Sequence, residues 1–217
     1  MTTVERFTPV QPGEPAPDFT LPALHREGSV SLSAYRGQSA VVVAFFRGLW
    51  CGFCRRHIAQ LATTQEKLQA LGVETLAIVG TNPQRARLYL RFHPTRVPLA
   101  AEPDLVTHRL YGLPNTAMTP ELDQAIRSLQ VSLPGQPAPL PFEQAYAVLR
   151  QQHPYEHTET DQREFERGAG QANGQFLIDR EGVVRWAYVE GTREGLADTV
   201  KFSGDEELLA AARQLPA

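Results

Sequence analysis

Apolar residues fall into short, separate runs along this chain, and their spacing changes from one run to the next. The densest run, Ala40–Phe46 (AVVVAFF), is apolar at every position, the pattern of a strand covered on both faces. An elbow, Arg47-Gly48-Leu49, leads into Trp50-Cys51-Gly52-Phe53-Cys54, after which Ile58, Leu61 and Leu68 share one helical stripe. That helix is predicted to end near Leu71, with Gly72 at C′. Val73–Val79 reads as the next strand. Asn82 and Pro83 then read as the N-cap and first residue of a helix that passes through Arg85, Leu88, Tyr89 and Phe92 and stops before Pro94. A short strand over 97–100 and a short helix over 105–111 continue the alternation, which predicts βαβ units and a mainly parallel sheet. Ahead of the central run, Phe19 and Leu21 alternate as in an edge strand, and residues 30–33 suggest a second strand before a turn at Tyr35-Arg36-Gly37. Residues 1–16, rich in proline, read as a loosely held arm.

The alternation breaks over 113–175, where no strand is predicted. Helices are predicted over 120–129, capped by Thr119, and over 142–151, with a proline-rich connector at 133–141 between them and a charged helix over 159–167. A segment of this length reads as a lid, an interface or disorder. Its apolar stripes (Leu122, Ile126, Leu129; Phe142, Tyr146, Leu149) favour order. Residues 175–179 and 183–189 flank the turn Arg180-Glu181-Gly182 and predict a β-hairpin. A looser stretch over 190–203 then leads to a last helix over 205–215 that turns Leu208, Leu209 and Ala212 inward.

A length of 217 residues and a hydrophobic share of 42% fit one domain over 1–217, with 113–175 as a helical, proline-rich insertion within it. A net charge of −3 and the lack of a Lys/Arg stripe give no reason to expect nucleic acid. No apolar stretch approaches the roughly 18 residues that span a bilayer. The first residues lack a charged segment followed by an apolar one, so no signal peptide is read and a cytoplasmic location is expected. The chain has two cysteines, Cys51 and Cys54, both in the elbow. In a reducing compartment such a pair reads as catalytic rather than as a structural disulfide.

Only a thiolate attacks a peroxide or a disulfide, so the chemistry requires a lowered pKa. A helix N-terminus supplies part of the lowering through its dipole and free N–H groups, and Arg47, Arg55 and Arg56 flank the pair with positive charge. Cys51, at the helix mouth, is expected to attack, and Cys54, one turn in, to resolve the intermediate. Gly52 and Phe53 complete the motif, Phe53 tuning the potential, and Trp50 takes part if it packs over the pair. Zinc would need four ligands where only Cys51, Cys54 and His57 are near, so neither a metal nor a cofactor is expected. His153, Glu156 and His157 read as a polar surface turn.

The order of elements resembles the thioredoxin fold: an α/β chain with a central mixed sheet flanked by helices and a helical insertion before the C-terminal hairpin. More specifically, residues 13–22, 30–47, 50–54 and 175–185 resemble the peroxiredoxin-like branch, the alkyl hydroperoxide reductase/thiol-specific antioxidant group. Aligned on Phe45-Phe46, that resemblance puts Arg47 at the family's Pro, Cys51 at its Thr and Cys54 at its peroxidatic Cys. Asn173 stands where peroxiredoxins carry an Arg and thioredoxins a cis-Pro. Trp50-Cys51-Gly52-Phe53-Cys54 itself is similar to the thioredoxin motif, with Phe53 in place of its Pro, and in that register Cys51 leads. The resemblance implies a thiol-dependent antioxidant oxidoreductase that reduces hydroperoxides through a Cys-x-x-Cys cycle. It also implies a thiol reductant, thioredoxin-like or of low molecular weight, and a homodimer is among the assemblies such folds form. A thioredoxin-like disulfide reductase or electron carrier is the alternative, and a redox-responsive interaction module built on the insertion is a third.

Overall fold

In the computed structural model, which describes residues 8–201 and 205–216, the chain enters through a short antiparallel ribbon. Its strands are β1 (Thr20–Pro22) and β2 (Ser29–Ser31). Residues 1–7 of the expected arm, and residues 202–203 of the looser stretch, lie outside the described residues. The second strand is shorter than its apolar pattern implied, because Leu32–Ala34 tightens into a 3-10 turn. Asp18 Oδ1 holds that turn by accepting the Ser33 N–H at 3.0 Å.

Next come β3 (Ala40–Phe46), α1 (Gly52–Gln69), β4 (Val73–Val79), α2 (Pro83–Phe92), β5 (Leu99–Ala101) and α3 (Val106–Leu110). The five-stranded sheet has the order β5-β4-β3, continued by β8 (Gly174–Ile178) and β9 (Val184–Val189). Strands β3, β4 and β5 run parallel, whereas β8 lies antiparallel to both β3 and β9. The sheet is therefore mixed rather than mainly parallel: the terminal hairpin adds its two strands in the opposite sense. Every residue of β3 is buried, as an all-apolar run demands. Val42, Ala44 and Phe46 point into one core with Ile58, Leu61 and Leu68 of α1. Val41, Val43 and Phe45 point into the other, with Phe19, Tyr111 and Phe176. The last helix, α7 (Asp205–Arg213), buries Leu208, Leu209 and Ala212 against the α1 side.

Local chemistry sets the helix ends. Asn82 Oδ1 accepts from the N–H groups of Gln84 and Arg85 at 2.9 and 3.3 Å, and Pro83 fills the first helical position, where a missing N–H costs nothing. Helix α1 closes with Ala70 as C-cap, and Gly72 takes the left-handed conformation (φ 73), one residue beyond its expected place.

Between α3 and β8 lie α4 (Pro120–Arg127), α5 (Phe142–Gln152) and α6 (Glu159–Gly168). Two two-residue strands that the sequence did not suggest also form here, β6 (Gln130–Val131) and β7 (Leu140–Pro141), which pair antiparallel. They close the base of the proline-rich connector and carry too few residues to show a period. Helix α6 is tied to the start of α2. Asp161, fully buried, meets Arg85 at 2.9 Å and accepts the Tyr155 hydroxyl at 2.5 Å, while Glu164 accepts the Asn82 N–H at 2.6 Å.

Candidate active site: the cysteine elbow and its cover

The elbow is folded by backbone contacts at the carboxyl end of β3. Gly80 N–H donates to Phe46 O at 2.9 Å, and Leu49 N–H donates to the Thr81 hydroxyl at 2.8 Å. A side chain at Gly48 would overlap the Trp50 indole, so glycine is what lets the chain fold back there. Cys51 is the N-cap of α1, with extended backbone (φ −82, ψ 119), and its carbonyl takes the first helical bond from Arg55 N–H at 3.2 Å.

Both thiols are free. Cys54 is completely buried, whereas Cys51 keeps 8% of its surface exposed. Cys54 Sγ lies 3.5 Å from Asn173 Oδ1, and its one thiol proton hydrogen-bonds Cys51 when turned toward that sulfur. The hydrogen bond from Cys54 is the main influence lowering the Cys51 thiol to about 6; burial opposes it, and the Arg47 charge and the Cys54 backbone N–H assist it. Burial and the neighbouring Cys51 push Cys54 well above the ordinary thiol value. The pair is thus polarised at neutral pH, with the anion on Cys51 and the proton on Cys54.

Arg47 and Asn173 belong to one buried cluster. The Arg47 guanidinium forms a two-oxygen ion pair with Glu190, which is 2% exposed. Asn173 N–H donates to Glu190 Oε2 at 2.7 Å, and Asn173 Oδ1 accepts Arg47 N–H at 2.9 Å. Burial raises the Glu190 carboxyl to about 7 against the pull of Arg47. Burial also works against the Arg47 charge, and Glu190 together with the two thiols more than offsets it. Asn173 thus joins Cys54 to this ion pair.

Other expected residues are placed differently. Arg55 is almost wholly buried and serves mainly as a brace. It donates to Leu49 O at 2.7 Å and to His153 O at 3.0 Å, with its guanidinium 4.9 Å from the Tyr155 ring centre, and it acts on Cys51 less than Arg47 does. Arg56 is half-buried and makes no hydrogen bond or ion pair among the described residues. The 153–157 stretch is more than a surface turn, because His157 Nε2 sits 3.1 Å from Trp50 O and His153 O accepts from Arg55. Among the described residues no three His, Cys, Asp or Glu side chains converge as metal ligands.

A cavity of about 390 Å³ lies over Cys51. Its floor includes Trp50 and Phe53, and its roof comes from α4, α5 and α6. Phe53 packs on Phe142 and Tyr146 (ring centres 5.7 and 6.2 Å apart), and Trp50 meets Phe165 edge-on at 5.1 Å. Gly52 gives the Tyr146 ring room, since a Cβ there would stand 3.1 Å from it. Glu190, Tyr146 and Phe165 were missed as site residues. For Tyr146 a signal existed in the apolar stripe of α5, but nothing local marks Glu190.

Comparison with known proteins adds to this geometry. The profile of the AhpC/TSA family matches residues 12–187. No curated protein sequence matches the chain. Among solved structures, the chain is similar to the peroxidoxin BcpB of Mycobacterium tuberculosis (12% identity, TM-score 0.58, covering 96% of this chain and 99% of that one). It is also similar to the reduced 2-Cys peroxiredoxin of Plasmodium vivax (13%, TM-score 0.58, 95% and 80%). A protein described as the thiol:disulfide interchange protein DsbE of Chlorobium tepidum is similar as well (23%, TM-score 0.53, 94% and 99%). At these identities the likenesses establish the fold, a thioredoxin-like one.

Proposed function

This chain belongs to the AhpC/TSA family and is a thiol oxidoreductase, and from that premise we propose that it reduces hydroperoxides through Cys51 and Cys54. One observation carries the choice of substrate: the thiol whose pKa is lowered to about 6, Cys51, lines a small roofed cavity while Cys54 is wholly buried beneath it. Such a volume is in the range of small-molecule sites. A folded protein bearing a disulfide would have to displace α5 and α6 to reach the sulfur.

The electron and atom balance is simple. The Cys51 thiolate attacks the outer oxygen of ROOH, the O–O bond breaks, and RO⁻ leaves and takes up a proton to become ROH. Cys51 is then a sulfenic acid. Cys54 sulfur attacks it, the S–S bond forms, and the hydroxyl leaves as water with the Cys54 proton. An external thiol reductant supplies two thiols, is itself oxidised to a disulfide, and restores both cysteines. Arg47 favours the anion on Cys51, and Glu190 and Asn173 hold Arg47 in place. Residues 113–175 serve on this reading as the lid of one domain, and the cycle suits a compartment such as the cytoplasm where thiol reductants are supplied.

A second reading, reduction of low-molecular-weight disulfides, is favoured by the position of Cys51 as the helix N-cap three residues before Cys54, and by the likeness to the thiol:disulfide interchange protein. Parallel assays with a dithiol reductant decide between them. Hydrogen peroxide and an organic hydroperoxide are expected to be turned over well above both a low-molecular-weight disulfide and an insulin-type protein disulfide. Turnover of the disulfide alone would overturn the peroxidase reading.

A further inference from the structure

When a thiolate opens a hydroperoxide, the leaving alkoxide is a far stronger base than the sulfur that displaces it. A proton delivered as the O–O bond breaks removes most of that cost. The groups that tune Cys51 have none to spare. The Cys54 proton is engaged with the Cys51 sulfur, and Arg47, paired with Glu190, holds its own more firmly than a free guanidinium does. The elbow itself carries no hydroxyl between Arg47 and Cys54. One arrives from the insertion: Tyr146 of α5 lines the cavity together with Cys51. Ala145 and Leu149 are fully buried and seat this helix. Gly52 lets it lie close, since a Cβ there would stand 3.1 Å from Tyr146 Cε2 and 3.6 Å from Leu149 Cβ. Phe142 stacks on the Tyr146 ring with centres 6.0 Å apart and planes 6° from parallel, and Phe53 closes it from the elbow side at 6.2 Å. These contacts hold the ring with its hydroxyl at the first turn of α1, where the Gly52 N–H donates toward the phenolic oxygen. An oxygen that accepts there keeps its own proton free to give.

Resting on the peroxidase reading, we propose that Tyr146 is a catalytic residue, the general acid that protonates the oxygen leaving from a hydroperoxide attacked by Cys51. The Cys51 thiolate takes the outer oxygen with its hydrogen and becomes the sulfenic acid. The O–O bond breaks, and the alkoxide takes the phenolic proton and leaves as the alcohol. The tyrosinate left behind is steadied by Arg55, the Gly52 N–H and Arg150, and it regains a proton from water. Transfer runs downhill, because an alkoxide is a stronger base than a phenolate. Burial, and then the Cys51 charge, push the Tyr146 hydroxyl above its ordinary value, so it stays protonated at the pH where Cys51 is an anion. The insertion thus supplies a reacting group as well as a cover.

The test measures how fast the fully reduced protein is oxidised by tert-butyl hydroperoxide, whose alkoxide needs a proton, and by peracetic acid, whose carboxylate leaves without one. Tyr146→Phe keeps the ring and its stacking. It is expected to slow oxidation by tert-butyl hydroperoxide about a hundredfold, the lower end of what a general acid contributes, and oxidation by peracetic acid by no more than about twofold. Alkylation of Cys51 by iodoacetamide, which needs no acid, is expected to match the parent. The parent protein offers a second reading without a variant: deuterium oxide is expected to slow the reaction with tert-butyl hydroperoxide more than that with peracetic acid. An undiminished rate with tert-butyl hydroperoxide in Tyr146→Phe, an equal loss with both oxidants, a matching loss of alkylation, or equal solvent effects in the parent overturns the acid role and leaves the peroxidase reading in place. A parent protein that neither oxidant oxidises at the cysteines overturns both.

Discussion

Cys51 and Cys54 are the same side chain three positions apart, and their surroundings give them opposite proton affinities. Cys51 receives a hydrogen bond and the Arg47 charge, whereas Cys54 keeps its proton, because it is wholly buried and lies beside Cys51. Alkylation by iodoacetamide reports the thiolate, so its rate at Cys51 is expected to be slow in acid, to rise through about pH 6, and to level off above it. The sign follows from the lowered pKa: the reactive anion is present above that value and lost below it. Cys54→Ala removes the largest lowering influence, so the midpoint is expected to move upward. A midpoint at the ordinary thiol value in the parent protein, or one unmoved by Cys54→Ala, would show that the second thiol does not tune the first.

At the scale of elements, α6 is held by few but buried polar contacts, of which Asp161 makes the most. It accepts from Arg85 and Tyr155 and closes the capping box of its own helix through Thr158. Asp161→Ala is expected to lower stability by about 1.5–3 kcal/mol, the range for a hydrogen bond to a charged group. It is also expected to speed hydrogen exchange over 142–168 more than over β3 and β4, and to open Cys51 to a bulky maleimide. Uniform exchange across the chain would show that α6 is not a separate cover. The sequence revealed elements whose cause is local. AVVVAFF needs no partner to read as a buried strand, and Asn82-Pro83 carries its own cap and φ. It could not reveal the Arg85–Asp161 tie, which joins residues 76 apart, nor the two-residue strands β6 and β7.

Across the whole molecule the same division holds for the site. Cys51, Cys54, Trp50 and Arg47 were legible because they share one short elbow. Asn173 was located by its place before the hairpin, but its bonds to Cys54 and Arg47 were not. Glu190, 143 residues from Arg47, becomes part of the site only when β9 delivers it beside β3's end. Arg55 was assigned to the thiolate by proximity in sequence, and the fold uses it to brace the 153–157 stretch over the elbow. The central claim is that the sheet, the elbow and the 113–175 cover together make Cys51 a nucleophile toward small hydroperoxides, with Cys54 resolving. The most direct measurement adds one equivalent of an organic hydroperoxide to the fully reduced protein, then quantifies the alcohol and maps the cysteines by mass spectrometry. Expected are one alcohol per protein with a Cys51–Cys54 disulfide, a trapped Cys51 sulfenic acid in Cys54→Ser, and no alcohol in Cys51→Ser. Alcohol formed undiminished by Cys51→Ser, or both thiols of the parent protein left reduced, would contradict it.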